Sequence, residues 1–199
     1  HMVSKLDTTN GIGCFLLANG ALNSGSEEFK IRKNLIENDK VEAIMVLPRE
    51  MFYSTNISVS LWIVNNNKKA RTLNGRKLRD RSNEFLFVDL RRWNSKVYEK
   101  KYIMFDEDQI AAARKIYTDW QMNKDFSNVP ELCMSATLDE LKTQNYSLAP
   151  SKFIEFVNHD SEIDTRVGLQ RVMDEIQSAL VEEQETIRLL KQAAQEGGL

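Results

Sequence analysis

The sequence predicts an α/β fold with a sheet built from short, buried strands. Three short apolar runs, each bounded by glycine, asparagine or proline, favour buried strands over helices. A segment of helical periodicity lies between the first two runs, and 42% of the 199 residues are hydrophobic, enough for a packed core. Fully apolar strands separated by a helix indicate a parallel sheet that is covered on both faces.

The first half of the chain supplies the pattern strand, helix, strand, strand. Residues 12–17 are apolar and end in an Ala-Asn-Gly turn signal, so they predict a strand. Residues 27–37 place apolar side chains at helical spacing, with Ser26 as the candidate N-cap. Residues 41–47 form a second apolar strand that Pro48 stops, and the β-branched, partly alternating residues 56–64 predict a third.

The second half is more helical. Residues 65–82 are polar and basic around Gly75 and predict a loop. Residues 85–90 predict one more strand, and Asp106 is placed to cap a helix over 106–121 whose inner face has Ile110, Ala113, Ile116, Tyr117 and Trp120. Shorter elements follow: a helix at 136–142 and an extended connector at 146–150.

The longest helical pattern covers residues 161–195. Met173, Leu180, Ile187 and Ala194 share one heptad position, and Leu169, Ile176, Glu183 and Leu190 share the other. Gly197 and Gly198 then end the helix. Because so narrow an apolar stripe seldom suffices to fold a long helix on its own domain, we expect a partner helix. That partner can come from another subunit, from a second copy, or from the same chain as a hairpin.

Charge is distributed unevenly along a chain whose net charge is only -2. Residues 68–101 contain 12 basic and 4 acidic side chains, whereas residues from Asp106 onward contain 9 basic and 18 acidic ones. This asymmetry is typical either of a polyanion contact in the middle segment or of an ordinary solvated surface. The two cysteines, Cys14 and Cys133, form no metal or redox motif and indicate free thiols in a cytoplasmic protein. No stretch has the length of a membrane span, and no secretory signal is present.

The motifs that would indicate catalysis are absent from the sequence. No glycine-rich turn follows a strand, and no proline follows Asn or Asp, so there is no Asn/Asp-Pro-Pro-aromatic tetrad. The histidines are His1 and His159, and neither lies in a motif. Paired Cys/His metal spacing and a Gly-X-Ser-X-Gly elbow are also missing. The sequence therefore predicts neither a catalytic residue nor a metal site.

Five segments, in order along the chain, resemble the modification subunits of type I restriction–modification systems, which are DNA adenine methyltransferases. The matching segments are GCFLLANGAL at 13–22, IRKNL at 31–35 with VEAIMVLP at 41–48, FYSTNISVSLWIV at 52–64, FVDL at 87–90 with the later helix near Trp120, and NYSLAPSKF at 145–153. Each segment alone is a weak signal, but together they cover nearly the whole chain.

This resemblance implies the C-terminal half of a Rossmann-like methyltransferase sheet, followed by helices and ending in a long helix. Family members transfer a methyl group from S-adenosylmethionine to N6 of adenine in DNA. Their cofactor loop and catalytic tetrad lie upstream of the matching region, so this chain is expected to be inactive alone and to hold no cofactor. The implied organisation is a partial methyltransferase region at 1–104, a helical extension at 105–160 and an assembly helix at 161–199.

The resemblance also assigns candidate site residues. Phe52 corresponds to an aromatic that stacks on the flipped target adenine, and Thr55, Asn56 and Asn19 are placed to line the same pocket. The alternatives are a core phenylalanine and ordinary turn residues. The basic segment at 65–82 directly follows the predicted strand at 56–64, which begins beside Thr55. The segment is either a phosphate-binding loop or a solvated one. Its candidate DNA-backbone contacts are Lys68, Lys69, Arg71, Arg76, Lys77, Arg79 and Arg81.

The implied partners are double-stranded DNA, the specificity subunit, a second modification subunit and, in the full complex, the restriction subunit. The candidate subunit interface is the stripe of Leu169, Met173, Ile176, Leu180, Ile187 and Leu190. A different class of function also fits the residues, namely a stand-alone DNA-binding or protein-interaction module that retains only a methyltransferase-like half-sheet. An enzyme assembled from two split chains is a third, weaker alternative.

Overall fold

The structure is a computed structural model that describes residues 2–52, 56–94, 97–98, 102–123 and 125–157, together with ten helical residues between 173 and 188. The chain divides into two compact units, His1–Phe156 and Val157–Leu199. Within the described residues, no helix has both the length and the apolar composition needed to cross a membrane.

A five-stranded mixed sheet forms the centre of the first unit. Its strands are β1 (Ile12–Ala18), β2 (Val41–Val46), β3 (Val59–Asn65), β6 (Glu84–Asp89) and β9 (Cys133–Thr137). Their order across the sheet is β1-β3-β2-β6-β9. Two small ladders accompany it, one between β4 (Arg71–Leu73) and β5 (Arg76–Leu78), the other between β7 (Val97–Tyr98) and β8 (Tyr102–Ile103).

The α/β class is confirmed, but the expectation of a parallel sheet is wrong for most strand pairs. Only β2 and β6 pair in parallel, whereas β3 is antiparallel to both of its neighbours and β9 is antiparallel to β6. The described residues of the connection from β2 to β3, 47–52 and 56–58, form no crossover helix, and β3 returns beside β2 in the opposite direction. It thereby lies between β1 and β2. These two strands run in the same direction, because the helix that connects them returns the chain to the end of the sheet where β1 began. A continuous apolar run in the sequence indicates that a strand is buried on both faces, but it does not indicate the direction of that strand.

Three α-helices complete the unit: α1 (Ser26–Glu37), α2 (Glu107–Met122) and α3 (Leu138–Thr143). Asp106 caps α2 in a capping box with Gln109, as the sequence predicts. The cap of α1 is Gly25, one residue before the predicted Ser26. Ile110, expected on the inner face of α2, is exposed.

Alternate residues of the central strands enter two separate cores. Ile44 and Val46 belong to the cluster beneath α1 and α3, whereas Ala43 and Met45 belong to the cluster that contains Trp120 of α2. Since successive strand residues point to opposite faces, the sheet is covered on both sides, as predicted.

Two segments differ from the predicted elements. The predicted loop at 65–82 contains the β4–β5 hairpin, and the predicted helical extension contains β9, which pairs with β6. The first compact unit, His1–Phe156, includes both α2 and β9, and β9 is a strand of the sheet. The predicted extended connector at 146–150 begins in a turn at Tyr146, is extended at Ala149 and enters a 3-10 helix at Pro150–Lys152.

Candidate functional site

The candidate site lies at one edge of the sheet, where four strands have their ends in a row. Leu17 pairs with Ser60, Ser60 with Val46, and Val46 with Asp89. The spacing of neighbouring strands is about 4.8 Å, so this row extends about 15 Å from β1 to β6. We call the residues just beyond it the upper edge: Asn19, residues 47–52, residues 56–58 and residues 90–92.

Asn19 closes the end of β1 at the upper edge. Its backbone N–H donates to the carbonyl of Ser58 at 3.1 Å, and its side-chain Nδ2 donates to Ser58 Oγ at 2.7 Å. The chain then enters a 3-10 turn over Asn19–Leu22. Both bonds tie the end of β1 to the start of β3, so the Asn19 side chain is held by its neighbour strand.

Phe52 and Asn56 lie within the connection between β2 and β3. Phe52 is half-buried and Asn56 is exposed. Arg49, also exposed, directs its Nε towards the Asn56 carbonyl at 3.4 Å, which draws the two ends of the connection together. Thr55, the remaining predicted base contact, lies outside the described residues. Asn19 and the connection that contains Phe52 and Asn56 therefore lie at the same end of three adjacent strands.

Two arginines follow β6 at the same edge, and the sequence prediction missed them. The Arg91 side chain donates hydrogen bonds to the carboxylate of the buried Asp89, from Nε at 2.9 and 3.1 Å and from Nη2 at 2.5 Å. Hydrogen bonding to Asp89 raises the pKa of Arg91. Arg92 pairs with Glu131 at 2.5 Å. Both guanidinium groups remain partly exposed. The signal that would have found them is a buried strand followed at once by Asp-Leu-Arg-Arg.

Backbone strain is found at the same edge. The backbones of Glu50 and Glu131 adopt left-handed conformations with φ of 66° and 61°, which residues other than glycine and asparagine seldom adopt. The Glu50 carbonyl accepts a hydrogen bond from Ile103 N, and Glu131 N donates to the Glu155 carbonyl. Such strain persists where surrounding structure enforces it and is concentrated at functional sites.

The predicted basic segment lies at the opposite end of β3. It does follow that strand, but β3 runs away from the upper edge, and its seven residues span about 20 Å. The structure therefore does not bring the basic segment beside Phe52.

Two residues that were predicted to contact phosphate, Lys68 and Arg81, instead form buried contacts within the chain. Lys68 is buried and donates to Asp39, the Val41 carbonyl and the Glu84 carbonyl. Arg81 is buried in an ion pair with Glu42 at 3.1 Å. Neither side chain has exposed surface with which to reach a phosphate.

The other five basic residues differ in exposure. Arg79 holds Glu84 through both terminal nitrogens and is largely buried. Arg71, the first residue of the hairpin strand β4, is half-buried. Lys69, Arg76 and Lys77 are exposed. The solvent-facing charge of the segment thus comes from three residues around the Asn74–Gly75 turn.

The second compact unit retains an apolar stripe on helical residues. Met173, Ile176, Leu180 and Ile187 are each about half exposed. Leu169 and Leu190, the other predicted interface residues, lie outside the described part of the chain. The four described side chains follow the predicted heptad positions and leave apolar surface uncovered.

No cofactor or metal geometry can be assigned to the described residues. The strands β2 and β6 end in Leu47–Pro48 and Leu90–Arg91, with no glycine-rich turn to approach a cofactor. Among the described side chains there is no group of three or more His, Cys, Asp or Glu placed to hold a metal ion. Cys14 and Cys133 are free thiols, and burial raises the pKa of both.

Comparison with known proteins identifies relatives over most of the chain. The family model of the N-6 DNA methylases matches residues 1–162. The methylase subunit of the type I restriction enzyme HindI from Haemophilus influenzae is 33% identical over 157 residues, which are 77% of this chain and 32% of that protein. The MjaIX methylase subunit from Methanocaldococcus jannaschii is 28% identical over 92% of this chain and 31% of its own length. The chain thus spans about a third of these relatives.

Solved structures share the fold. The methyltransferase subunit of a type I restriction–modification system from Streptococcus thermophilus superposes with a TM-score of 0.62 at 20% identity, covering 76% of this chain and 28% of that one. The M protein of the type I restriction enzyme EcoKI superposes with a TM-score of 0.55 at 14% identity, covering 88% and 40%.

Proposed function

The chain belongs to the N-6 DNA methylase family, and on that premise we propose that it is the target-base and assembly portion of a type I DNA adenine methyltransferase. The parent protein would transfer a methyl group from S-adenosylmethionine to N6 of adenine. The observation that supports the proposal is that the end of β1 with Asn19 and the β2–β3 connection with Phe52 and Asn56 lie at the same end of the sheet.

Phe52 is the proposed stacking partner of the flipped adenine. Chemistry on an exocyclic amine requires the base to leave the duplex, and an aromatic face holds an extruded base at low geometric cost. Phe52 is half-buried, so part of its ring is accessible. Asn19, Asn56 and Thr55 are the proposed polar lining, since amides and hydroxyls can bond to the edges of a base.

The test uses the full-length methyltransferase with Phe52→Ala. Losing one base–aromatic stack of about 1–3 kcal/mol should raise the Michaelis constant for DNA roughly tenfold and leave that for S-adenosylmethionine unchanged. Phe126→Ala is the matched control, because Phe126 is equally half-buried but lies in the segment that follows α2. Unchanged DNA kinetics for Phe52→Ala would remove the proposed base contact.

Phosphate contacts are proposed for two separate groups of basic residues. Arg49, Arg91 and Arg92 lie at the upper edge, beside the proposed base pocket. Lys69, Arg76 and Lys77 lie about 20 Å away, a separation of about six base pairs along B-DNA. A duplex that contacted both groups would have to cross the outside of the unit over this distance, and such contacts position DNA without reading its sequence.

The two groups can be separated by the salt dependence of DNA binding. Reversing Lys69, Arg76 and Lys77 to glutamate, or changing Arg49 and Arg92 to alanine, should each flatten the salt slope of the assembled enzyme by about 0.9 for every phosphate that is no longer neutralised. Lys30→Glu on the exposed surface of α1 is the control. A group whose removal leaves the slope unaltered does not contact DNA.

Subunit assembly is the proposed role of residues 161–199. The exposed apolar stripe supports it, because about half of each described stripe side chain is left for a partner helix to bury. Deleting residues 161–199 from the full-length subunit should abolish co-purification with the specificity subunit, and a retained complex would refute the role. The second modification subunit and the restriction subunit are proposed partners of the full-length protein, without assigned residues.

The cofactor is proposed to bind outside this chain. Leu16 and Leu17 of the edge strand β1 are 46% and 39% exposed, so apolar surface is available where a larger sheet would continue. Among the described residues, no glycine-rich turn follows a strand of the sheet, as a cofactor cradle would require. Calorimetric titration of S-adenosylmethionine into the 199-residue chain should detect no binding.

A further inference from the structure

We propose that Arg32 is a positioning residue that sets the conformation of the turn carrying Asn19 at the upper edge. The inference rests on the proposed function, since it assigns the turn a role in holding the target base. Arg32 lies on α1, on the side that faces this turn, and is only 3% exposed. It touches neither the proposed base pocket nor any group that reacts.

The guanidinium group of Arg32 holds the turn at two points. Nη1 donates to the Ala21 carbonyl at 3.2 Å and reaches Ser24 Oγ at 3.5 Å, while Nη2 donates to the Ser24 carbonyl at 2.9 Å. Ala21 and Ser24 follow Asn19 by two and five residues. The planar fork of an arginine fixes the spacing of two carbonyls in a way that a single ammonium group cannot.

The remaining donor of Arg32 connects the turn to a distant segment. Nε donates to the Tyr146 carbonyl at 2.9 Å, and nearby the Leu148 N–H donates to the Leu22 carbonyl at 2.9 Å. Asn145 and Tyr146 both have positive φ, 52° and 53°, a conformation that asparagine adopts readily but tyrosine seldom does, so the surrounding structure holds the backbone of Tyr146. The turn is therefore clamped between α1 and residues 145–149.

The surroundings of Arg32 explain why this position requires an arginine. The hydrogen-bond acceptors around Arg32 are three carbonyls and one hydroxyl, and burial lowers the pKa of its guanidinium. Burying a cation is expensive and the charge of Glu28 offsets this only in part, but a hydrophobic side chain in the same space would leave the three carbonyls without these donors. The arrangement is understandable if the geometry of the turn, and hence of Asn19, is what the side chain maintains.

The test compares Arg32→Lys and Arg32→Met with Lys30→Met, a change at an exposed position of the same helix. Hydrogen exchange on the 199-residue chain should rise at least roughly tenfold at the Ser24 and Leu148 amides in both Arg32 variants, with the Val64 amide unchanged. In the full-length methyltransferase, Arg32→Lys should raise the Michaelis constant for DNA roughly tenfold and spare that for S-adenosylmethionine.

The outcomes separate this inference from the proposed function. Unchanged exchange at Ser24 and Leu148 would overturn it. Raised exchange with normal DNA kinetics, in an enzyme that Phe52→Ala impairs, would also overturn it and leave the proposed base pocket standing. If neither Arg32→Lys nor Phe52→Ala alters DNA kinetics, the proposed function of the upper edge fails, while raised exchange would still support Arg32 as the clamp of the turn.

Discussion

At the scale of single residues, Glu42 shows how the first unit places charge inside its core. This carboxylate is fully buried and accepts from Asn65 at 2.7 Å, Tyr117 at 3.0 Å, Arg81 at 3.1 Å and Gln121 at 3.2 Å. Burial, and then the negative charge of Glu42, raise the pKa of Tyr117, so its hydroxyl stays protonated and remains a donor. The network joins β2, β3, α2 and the segment that precedes β6.

We predict that Glu42→Gln destabilises the chain strongly, by about 3–5 kcal/mol, because it leaves the buried Arg81 guanidinium without its counter-charge. Urea unfolding followed by circular dichroism measures the loss. Glu27→Gln is the matched control, since the Glu27–Lys30 pair is exposed and should contribute less than about 1 kcal/mol. Replacing both partners, as Glu42→Leu with Arg81→Met, should recover part of the stability; a loss as large as that of Glu42→Gln would contradict the explanation.

The same network shows where residue-level prediction from sequence ends. Lys68 and Arg81 occur in one basic segment with Lys69 and Lys77, and no local pattern distinguishes them. The first two are buried against Asp39 and Glu42, which are distant in sequence, whereas the other two are exposed. Since pairing depends on the fold of the whole unit, composition predicts that the segment is basic but not which cations face solvent.

At the scale of elements, the β4–β5 hairpin depends on its two-residue turn. Leu73 pairs with Arg76, and the intervening Asn74 and Gly75 both have positive φ, 50° and 78°. This combination is a type I′ turn, whose twist matches that of the flanking strands and for which Asn-Gly is strongly preferred. The dipeptide could have indicated the hairpin, but the strands are three residues each and rich in charge, so the segment resembles a loop.

We predict that Gly75→Ala destabilises the chain by roughly 1 kcal/mol, because alanine at a φ of 78° meets the steric cost of the left-handed region. Gly20→Ala is the control: a Cβ there meets no atom within 4 Å, and the backbone is not left-handed. Thermal unfolding of the two variants gives the comparison. Equal stability of Gly75→Ala and the parent chain would mean that the turn relaxes without strain.

Elements with strong local signals were predictable, and those without them were not. The capping box at Asp106 places the start of α2 correctly, because its hydrogen bonds lie within four residues. The strand β9 was missed because Cys133–Thr137 includes Ser and Ala and lies between helices. It is a strand because β6 offers it an unpaired edge, a condition that local periodicity does not contain.

At the scale of the whole molecule, the sequence predicts the class and the covered sheet but not the direction of its strands. That direction decides the site. Because β3 is antiparallel to β2, its start lies at the upper edge with Asn56, and its end delivers the basic segment to the far side. The family resemblance predicted Phe52 and Asn19 as site residues. It did not predict Arg91 and Arg92, because their position at the upper edge depends on the parallel pairing of β6 with β2.

The division of the chain into two compact units leads to a prediction about folding. Both core clusters, the five-stranded sheet and the Glu42 network lie within residues 12–154. We therefore expect a chain ending at Phe156 to fold cooperatively on its own, with a thermal midpoint within about 4 °C of the full chain, the shift that about 1 kcal/mol produces. Deleting residues 157–199 removes the exposed stripe of Met173, Ile176, Leu180 and Ile187 but no residue of either core.

Far-ultraviolet circular dichroism and tryptophan fluorescence provide two probes of this unfolding, since Trp62 and Trp120 lie in different cores. Coincident transitions would show that the two faces of the sheet unfold together. A matched chain ending at Leu148 removes Ile154 and Phe153, the latter stacked on Phe87 with ring centroids 4.4 Å apart, and should lose several kcal/mol. If the chain ending at Phe156 proves as unstable as the shorter one, the first unit depends on residues 157–199 for its stability, and the two units fold as one.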